Sequence, residues 1–170
     1  MKRALSIALT TATVLLLVAA ARAQGTDQPE KKLKRSEVPA PVLEAVTRKY
    51  PTAKLRTFGE EVDEGKKIYE VELTTGKDQV SIDVSPEVKI LAEETAIAPA
   101  ALPAPIKAAL QASKYKGWRI ARAETVVHDE KPDTLEYEVV VQSRKEKFEV
   151  VLDRAGQITR EEAKSPQDTD

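Results

Sequence analysis

Between residues 38 and 162 the chain states one pattern twice, and this duplication limits its fold more than any other feature. Val38-Pro39-Ala40-Pro41-Val42 opens one copy, and Leu102-Pro103-Ala104-Pro105-Ile106 opens the other. Tyr69-Glu70-Val71 is answered by Tyr137-Glu138-Val139, and Val80-Ser81-Ile82-Asp83-Val84 by Phe148-Glu149-Val150-Val151-Leu152. Ile90 and Glu93-Glu94 return as Ile158 and Glu161-Glu162. The offset grows from 64 to 68 along the unit, which places small insertions in the early loops of the second copy.

Each copy starts with a helix. Val38, Val42, Val46 and Tyr50 recur every four residues and form one apolar stripe, as do Leu102, Ile106 and Leu110. Pro39 and Pro103 stand where a first-turn proline costs no helical hydrogen bond. Pro51 is expected to end the first helix and Gly117 the second.

Strands follow. Tyr69, Val71 and Leu73 alternate with Glu70, Glu72 and Thr74, and Tyr137, Val139 and Val141 repeat the inward positions; Val80, Ile82 and Val84, then Phe148, Val150 and Leu152, form the next pair. Thr75-Gly76-Lys77 and Ser143-Arg144-Lys145 read as hairpin connections. Asp153-Arg154-Ala155-Gly156 reads as a turn before a last strand around 157–160. Ser85-Pro86-Glu87-Val88 lacks the glycine, so its turn is expected to differ. The leading strands, 53–62 and 118–127, alternate poorly, and Gly59 suggests a bulge.

The expected fold is α+β: two tandem units, each a helix over a four-stranded antiparallel sheet, spanning 38–94 and 102–162 with a linker at 95–101. A unit of roughly sixty residues buries a marginal core alone, so the copies should pack as one compact body or a continuous sheet. With only seven aromatic residues, the core must be mainly aliphatic.

The ends read differently. Met1-Lys2-Arg3, an apolar stretch and Ala21-Arg22-Ala23 have the order of a cleaved secretory signal over residues 1–23, which points to a periplasmic or secreted protein without stable membrane insertion. Without the cations Lys2, Arg3 and Arg22 the formal charge goes from −1 to −4, which argues against nucleic acid as a partner. Residues 24–37 read as a flexible leader, and their Lys31-Lys32-Leu33-Lys34-Arg35 run as a solvated linker rather than a binding patch. Residues 163–170 read as a disordered tail.

Pro after an apolar residue, an apolar helix, Tyr50-Pro51-x-Ala53, Tyr69-Glu70-Val71, a hairpin and an Asp-x-x-Gly turn together resemble the PepSY-like domains grouped with beta-lactamase-inhibitor-like proteins. Nearly all of 38–94 and 102–162 takes part in this resemblance. Lys116-Gly117 departs from it in the second copy, and Val88 in the first. The resemblance implies an exported helix-plus-sheet module of a bacterial envelope, used for binding or inhibition rather than catalysis.

Nothing in the sequence spells a reaction. With no cysteine and one histidine, thiolate chemistry is excluded and a transition-metal site would need carboxylates to complete it. No phosphate loop, dinucleotide glycine motif, HExxH or G-x-S-x-G occurs, so no enzyme activity and no cofactor are expected. His128, among Asp129 and Glu130, reads as an exposed loop histidine, and Glu60-Glu61-Val62-Asp63-Glu64-Gly65 as a solvated hairpin tip. Trp118 is assigned to core or inter-copy packing.

The candidate site is the sheet face opposite the helices. If Tyr69, Val71 and Leu73 face the helix, then Glu70, Glu72 and Asp83 face away, as do Glu136, Glu138 and Glu149 with Val140 and Val151. Such a face is either plainly solvated or receives a basic protein or peptide, or a divalent cation.

Overall fold

The computed structural model describes residues 31–63 and 65–165; the signal read over 1–23 and the first part of the leader lie outside them. Nine strands form one antiparallel sheet in which spatial order follows chain order. They are β1 (Lys31–Lys32), β2 (Lys54–Asp63), β3 (Lys66–Thr75), β4 (Asp78–Val84), β5 (Ile90–Ala96), β6 (Arg119–His128), β7 (Glu136–Gln142), β8 (Lys147–Asp153) and β9 (Ile158–Lys164). Helix α1 (Ala40–Lys49) precedes β2, and α2 (Ala104–Ala112) lies between β5 and β6.

The two helices begin alike. The Pro39 carbonyl accepts from the Val42 and Leu43 amides, and the Pro103 carbonyl from Lys107, so both prolines are caps. Pro41 and Pro105 fall in the first turn, where a missing N–H forfeits nothing. Arg48 and Lys49 close α1 with positive charge beside its carbonyl end. Gly117 does not end α2. The helix stops at Ser113, whose hydroxyl donates to the Leu110 carbonyl at 2.8 Å, and Gly117 (φ 79°) turns the chain afterwards towards β6.

Both helices lie on one face. Val71 pairs with Ile82 and Val139 with Val150, and all four are fully buried beneath Val42 and Val46 or Ile106. The pairings Val80 with Thr95, Thr95 with Thr125, and Thr125 with Tyr137 carry that face unbroken from one copy to the other. The two apolar clusters remain separate. In the second, Tyr115, Trp118 and Phe148 meet with ring centroids 5.3 to 6.1 Å apart, which places Trp118 in that copy's own core.

The copies join through β5 and β6, paired from Ala92 with His128 to Ala96 with Glu124. On the helix side Lys49 Nζ lies 2.9 Å from both Glu93 and Glu130, tying α1 of the first copy to the start of the second. The segment read as a linker is thus partly strand, since Thr95 and Ala96 belong to β5.

Four further expectations need correction. Residues 31–37 are not a flexible leader: β1 pairs with Gly59 and Glu60, Leu33 packs on the first core, and a 3-10 turn spans Arg35–Glu37. The bulge falls between Leu55 and Thr57 rather than at Gly59, and its counterpart lies between Ile120 and Arg122. Most of the acidic run from Glu60 is strand β2, with Lys67 Nζ 3.0 Å from Glu60. Strand β9 extends to Lys164, into the segment read as a tail.

The turn without its glycine is the most instructive difference. The Val88 amide donates to the Ser85 carbonyl and the Ser85 amide to the Lys89 carbonyl, just as the Gly156 amide donates to Asp153 and the Asp153 amide to Gln157. Val88 has φ 67° and Gly156 φ 87°, so a β-branched residue is held in the left-handed region by the same turn. Val88→Gly is therefore expected to stabilise the protein by about 1 kcal/mol, read as a raised denaturant midpoint. Gly156→Ala should lower it, because an added Cβ would lie 2.7 Å from the Pro105 carbonyl oxygen at the start of α2.

Candidate functional site

Strand pairing assigns every residue of the face opposite the helices. Glu70 pairs with Asp83 and Glu72 with Ser81; Glu138 pairs with Val151 and Val140 with Glu149. Glu136 pairs with Val126, which pairs with Glu94. All eight residues read from the sequence, Glu70, Glu72, Asp83, Glu136, Glu138, Val140, Glu149 and Val151, therefore share this one face. No element among the described residues lies over it.

The face is not a layer of freely solvated charges. Val126, Val140 and Val151 are 1%, 2% and 3% exposed, and Glu149 and Glu124 are 7% and 9% exposed. Their cover comes from long side chains of the face itself. Arg160 Nη2 reaches Glu138 Oε1 at 3.3 Å and Glu149 Oε1 at 3.7 Å, and Lys164 Nζ stands 3.4 Å from Glu149 and 3.2 Å from Glu162. Arg122 Nε lies 3.3 Å from Glu124 Oε2. In the first copy the Ser81 hydroxyl donates to Glu70 Oε1 at 2.6 Å, and the Thr57 hydroxyl bonds Glu72.

At the seam the carboxylates crowd. Glu94 on β5, Glu124 on β6 and Glu138 on β7 place an oxygen each within 4.8 Å of one another. Burial, then the negative charges of Glu138, Asp83, Glu124 and Glu70, push the Glu94 carboxyl up to about 9. Burial and Glu149 push Glu138 up to about 7, against the pull of Arg160 and Arg122. Like charges in a desolvated place hold a shared proton because full ionisation would be costly. Such a group of oxygens has the donor type a hard divalent cation takes.

Two members of this cluster, Glu94 and Glu124, escaped the sequence reading. Glu94 was visible only as a repeat match, and the poor alternation of β6 hid which way Glu124 points. The residue added between Ile120 and Arg122 inverts the alternation of that strand. His128 stands at the end of β6 rather than in a loop, with Nε2 3.5 Å from Glu136 and its side chain 46% exposed.

The seam has a consequence for stability. Carboxyls held protonated in the folded state but ionised in the unfolded chain stabilise fully below the ordinary carboxyl range, and that stability declines as pH rises through their folded values. For Glu138 and Glu94 this window runs from about 4.5 through 7 to 9. Denaturant midpoints should fall between pH 5.5 and pH 9. Glu94→Gln should flatten the upper part of that slope and add at least ~1 kcal/mol at pH 9.

A family model described as "Putative beta-lactamase-inhibitor-like, PepSY-like" matches residues 24–92 and 87–160, one match for each copy. Among solved structures, a DUF2874 family protein of Bacteroides uniformis is similar at 19% identity and TM-score 0.63, over 74% of this chain and 89% of that one. A BLIP-like protein of Bacteroides fragilis is similar at 17% identity and TM-score 0.60, over 78% and 91%. A Bacteroides eggerthii structure described as "putative periplasmic proteins" is similar at 16% identity and TM-score 0.62, over 74% and 88%. These likenesses concern the fold. No match to the chain was found among curated proteins.

Proposed function

The chain belongs to the beta-lactamase-inhibitor-like, PepSY-like family, and on that premise we propose that it is an exported, non-catalytic binding module that receives a protein or peptide on the sheet face opposite its helices. One observation carries this reading. The fold concentrates buried, mutually repelling carboxylates on the one face that neither helix covers. That arrangement costs folding stability, and costly charge of this kind is characteristic of functional surfaces. The ion pairs of Arg160 and Lys164 also fix their acids before any partner arrives, so less side-chain freedom is lost on binding.

Location in the periplasm or outside the cell fits the secretory pattern of residues 1–23 and the similarity to the structure described as periplasmic. No helix of the described residues is long and apolar enough to cross a membrane.

Capture of a partner from the native envelope tests the proposal. Wild type should retain a polypeptide that the triple variant Glu70→Lys, Glu72→Lys, Glu136→Lys retains at least about fivefold less. These positions avoid the most buried acids, so the variant's circular dichroism should match wild type. Equal capture by both proteins would sink the proposal.

The 4.8 Å grouping of Glu94, Glu124 and Glu138 favours a second reading, a divalent cation held at the seam. Calorimetry with calcium distinguishes the two. Heat of binding that Glu94→Gln abolishes would support the cation, and no heat at millimolar calcium would remove it.

A further inference from the structure

The two copies can be compared position by position, and at one end of the sheet they differ in kind. Tyr50-Pro51-Thr52-Ala53 leads from α1 into β2, and Tyr115-Lys116-Gly117-Trp118 leads from α2 into β6. The segments are equivalent: the Ala53 amide donates to the Tyr50 carbonyl at 3.1 Å, and the Trp118 amide to the Tyr115 carbonyl at 3.0 Å. Lys54 then pairs with Thr74 as Arg119 pairs with Gln142. The hairpin at that end is Thr75-Gly76-Lys77-Asp78 in the first copy and Ser143-Arg144-Lys145-Glu146 in the second. Lys116, Trp118 and Arg144 therefore stand where the first copy has proline, alanine and glycine.

The first copy forms the same helix and strands without these side chains, so the unit does not need them to fold. In the second copy they gather at one place. Trp118, Arg119 and Arg144 line an open cleft of about 490 Å³, with Gln142 and Ser143 beside them, and no lining residue is acidic. Lys116, Arg119, Arg144 and Lys145 are all exposed. Lys116, Arg144 and Lys145 form no ion pair among the described residues, and Arg119 donates to the neutral Gln142 side chain. Lys49, Lys67, Lys89 and Arg160, by contrast, each have a carboxylate within 3.3 Å. Trp118 packs edge-on against Tyr115, with centroids 5.3 Å apart, yet stays only half-buried because it also lines the cleft.

We propose that this cleft is a second interaction surface, which takes an acidic segment of a partner polypeptide at the end of the sheet. Arg119 and Arg144 hold its carboxylates through charge-assisted hydrogen bonds, and Trp118 packs against its apolar part. Lys116 and Lys145 flank them and add positive potential. Trp and Arg are also the side chains that most often carry binding energy at protein interfaces. A flat anionic membrane cannot follow a concave surface, and a free inorganic anion would leave the indole unused. The cleft is opposite in charge to the open acidic face and shares none of its eight residues, so the inference goes beyond the binding role of that face.

Trp118 is the only tryptophan of the chain, so its fluorescence reports on the cleft directly. The probe is an acetylated, amidated Gly-Glu-Phe-Glu-Gly peptide, with Gly-Gln-Phe-Gln-Gly as its neutral isostere. Titrated into the purified protein at low ionic strength, the acidic peptide should change Trp118 emission saturably, and added salt should weaken its binding. The double variant Arg119→Gln, Arg144→Gln should bind it at least about tenfold more weakly, because hydrogen bonds to charged groups are lost. Its circular dichroism should match wild type. Lys116→Gln with Arg144→Gly, the latter restoring the residue of the first copy, is a second variant that leaves the strand untouched and should also weaken binding.

Equal binding of the glutamate and glutamine peptides would overturn the proposal, as would unaltered binding by both variants. Inorganic phosphate alone producing the same emission change at the same affinity would remove the polypeptide as occupant. Asp168→Asn with Asp170→Asn is the remaining control: if it shifts Trp118 emission in the absence of peptide, the chain's own tail fills the cleft and the proposal falls. The outcome for the acidic face stays separable. The Glu70, Glu72, Glu136 variant should bind the acidic peptide at least as well as wild type, whatever becomes of its captured partner, and weaker binding would place the peptide outside the cleft.

Discussion

The pairing of β5 with β6 is the contact on which the rest of the structure depends. Each copy buries its own apolar cluster, and those clusters do not merge. What makes one body of them is a ladder of backbone hydrogen bonds, extended at one end by the Ile97 amide to Ala123 and at the other by the Asp129 amide to Leu91. Backbone pairing is directional, so it fixes the register between copies as well as their adjacency. That register brings Glu94 to Glu124 and Glu138. A pair of units joined by a flexible tether would never assemble such a cluster.

Duplication followed by joining also gives the two faces of the sheet different histories. On the helix side, the equivalent residues of both copies keep the same task, with Val71 and Val139 each paired to a partner beneath a helix. On the other side the copies have parted. β9 is an edge strand, and its Arg160 and Lys164 cover acids while placing charge on an edge that would otherwise invite pairing with another chain. β5 is a central strand with a neighbour on each side. It needs no such protection, and Ala92 and Ala96 lie level with the sheet. The same repeat thus carries Arg160 and Lys164 on its last strand in one half and alanines at the equivalent positions in the other.

Much of the architecture was legible because it rests on short-range periodicity. The stripe of Val38, Val42 and Val46 announced α1, and the alternation of Tyr69, Val71 and Leu73 set the face of β3. Bulges were not legible. The extra residues near Arg56 and Ala121 invert the alternation of β2 and β6 partway along, so neither strand displays one clean period. The turn at Val88 misled for a related reason. Composition reports the cost of a left-handed backbone, whereas the flanking hairpin determines whether that cost is met.

The sequence by itself determined the unit: a helix opened by prolines, paired strands with inward aliphatic residues, and eight of the outward residues that form the open face. Those properties follow from the periods of helix and strand, which act over a few residues and leave a mark in the order of amino acids. Only the tertiary structure decided that the two sheets are one, that residues 31–37 belong to it, and that Glu94, Glu124 and Glu138 meet. These depend on which strand lies beside which and in what register, and pairing between residues about 27 to 36 positions apart has no local signature. The repeat promised two similar halves. Their joining edge to edge made the acidic seam.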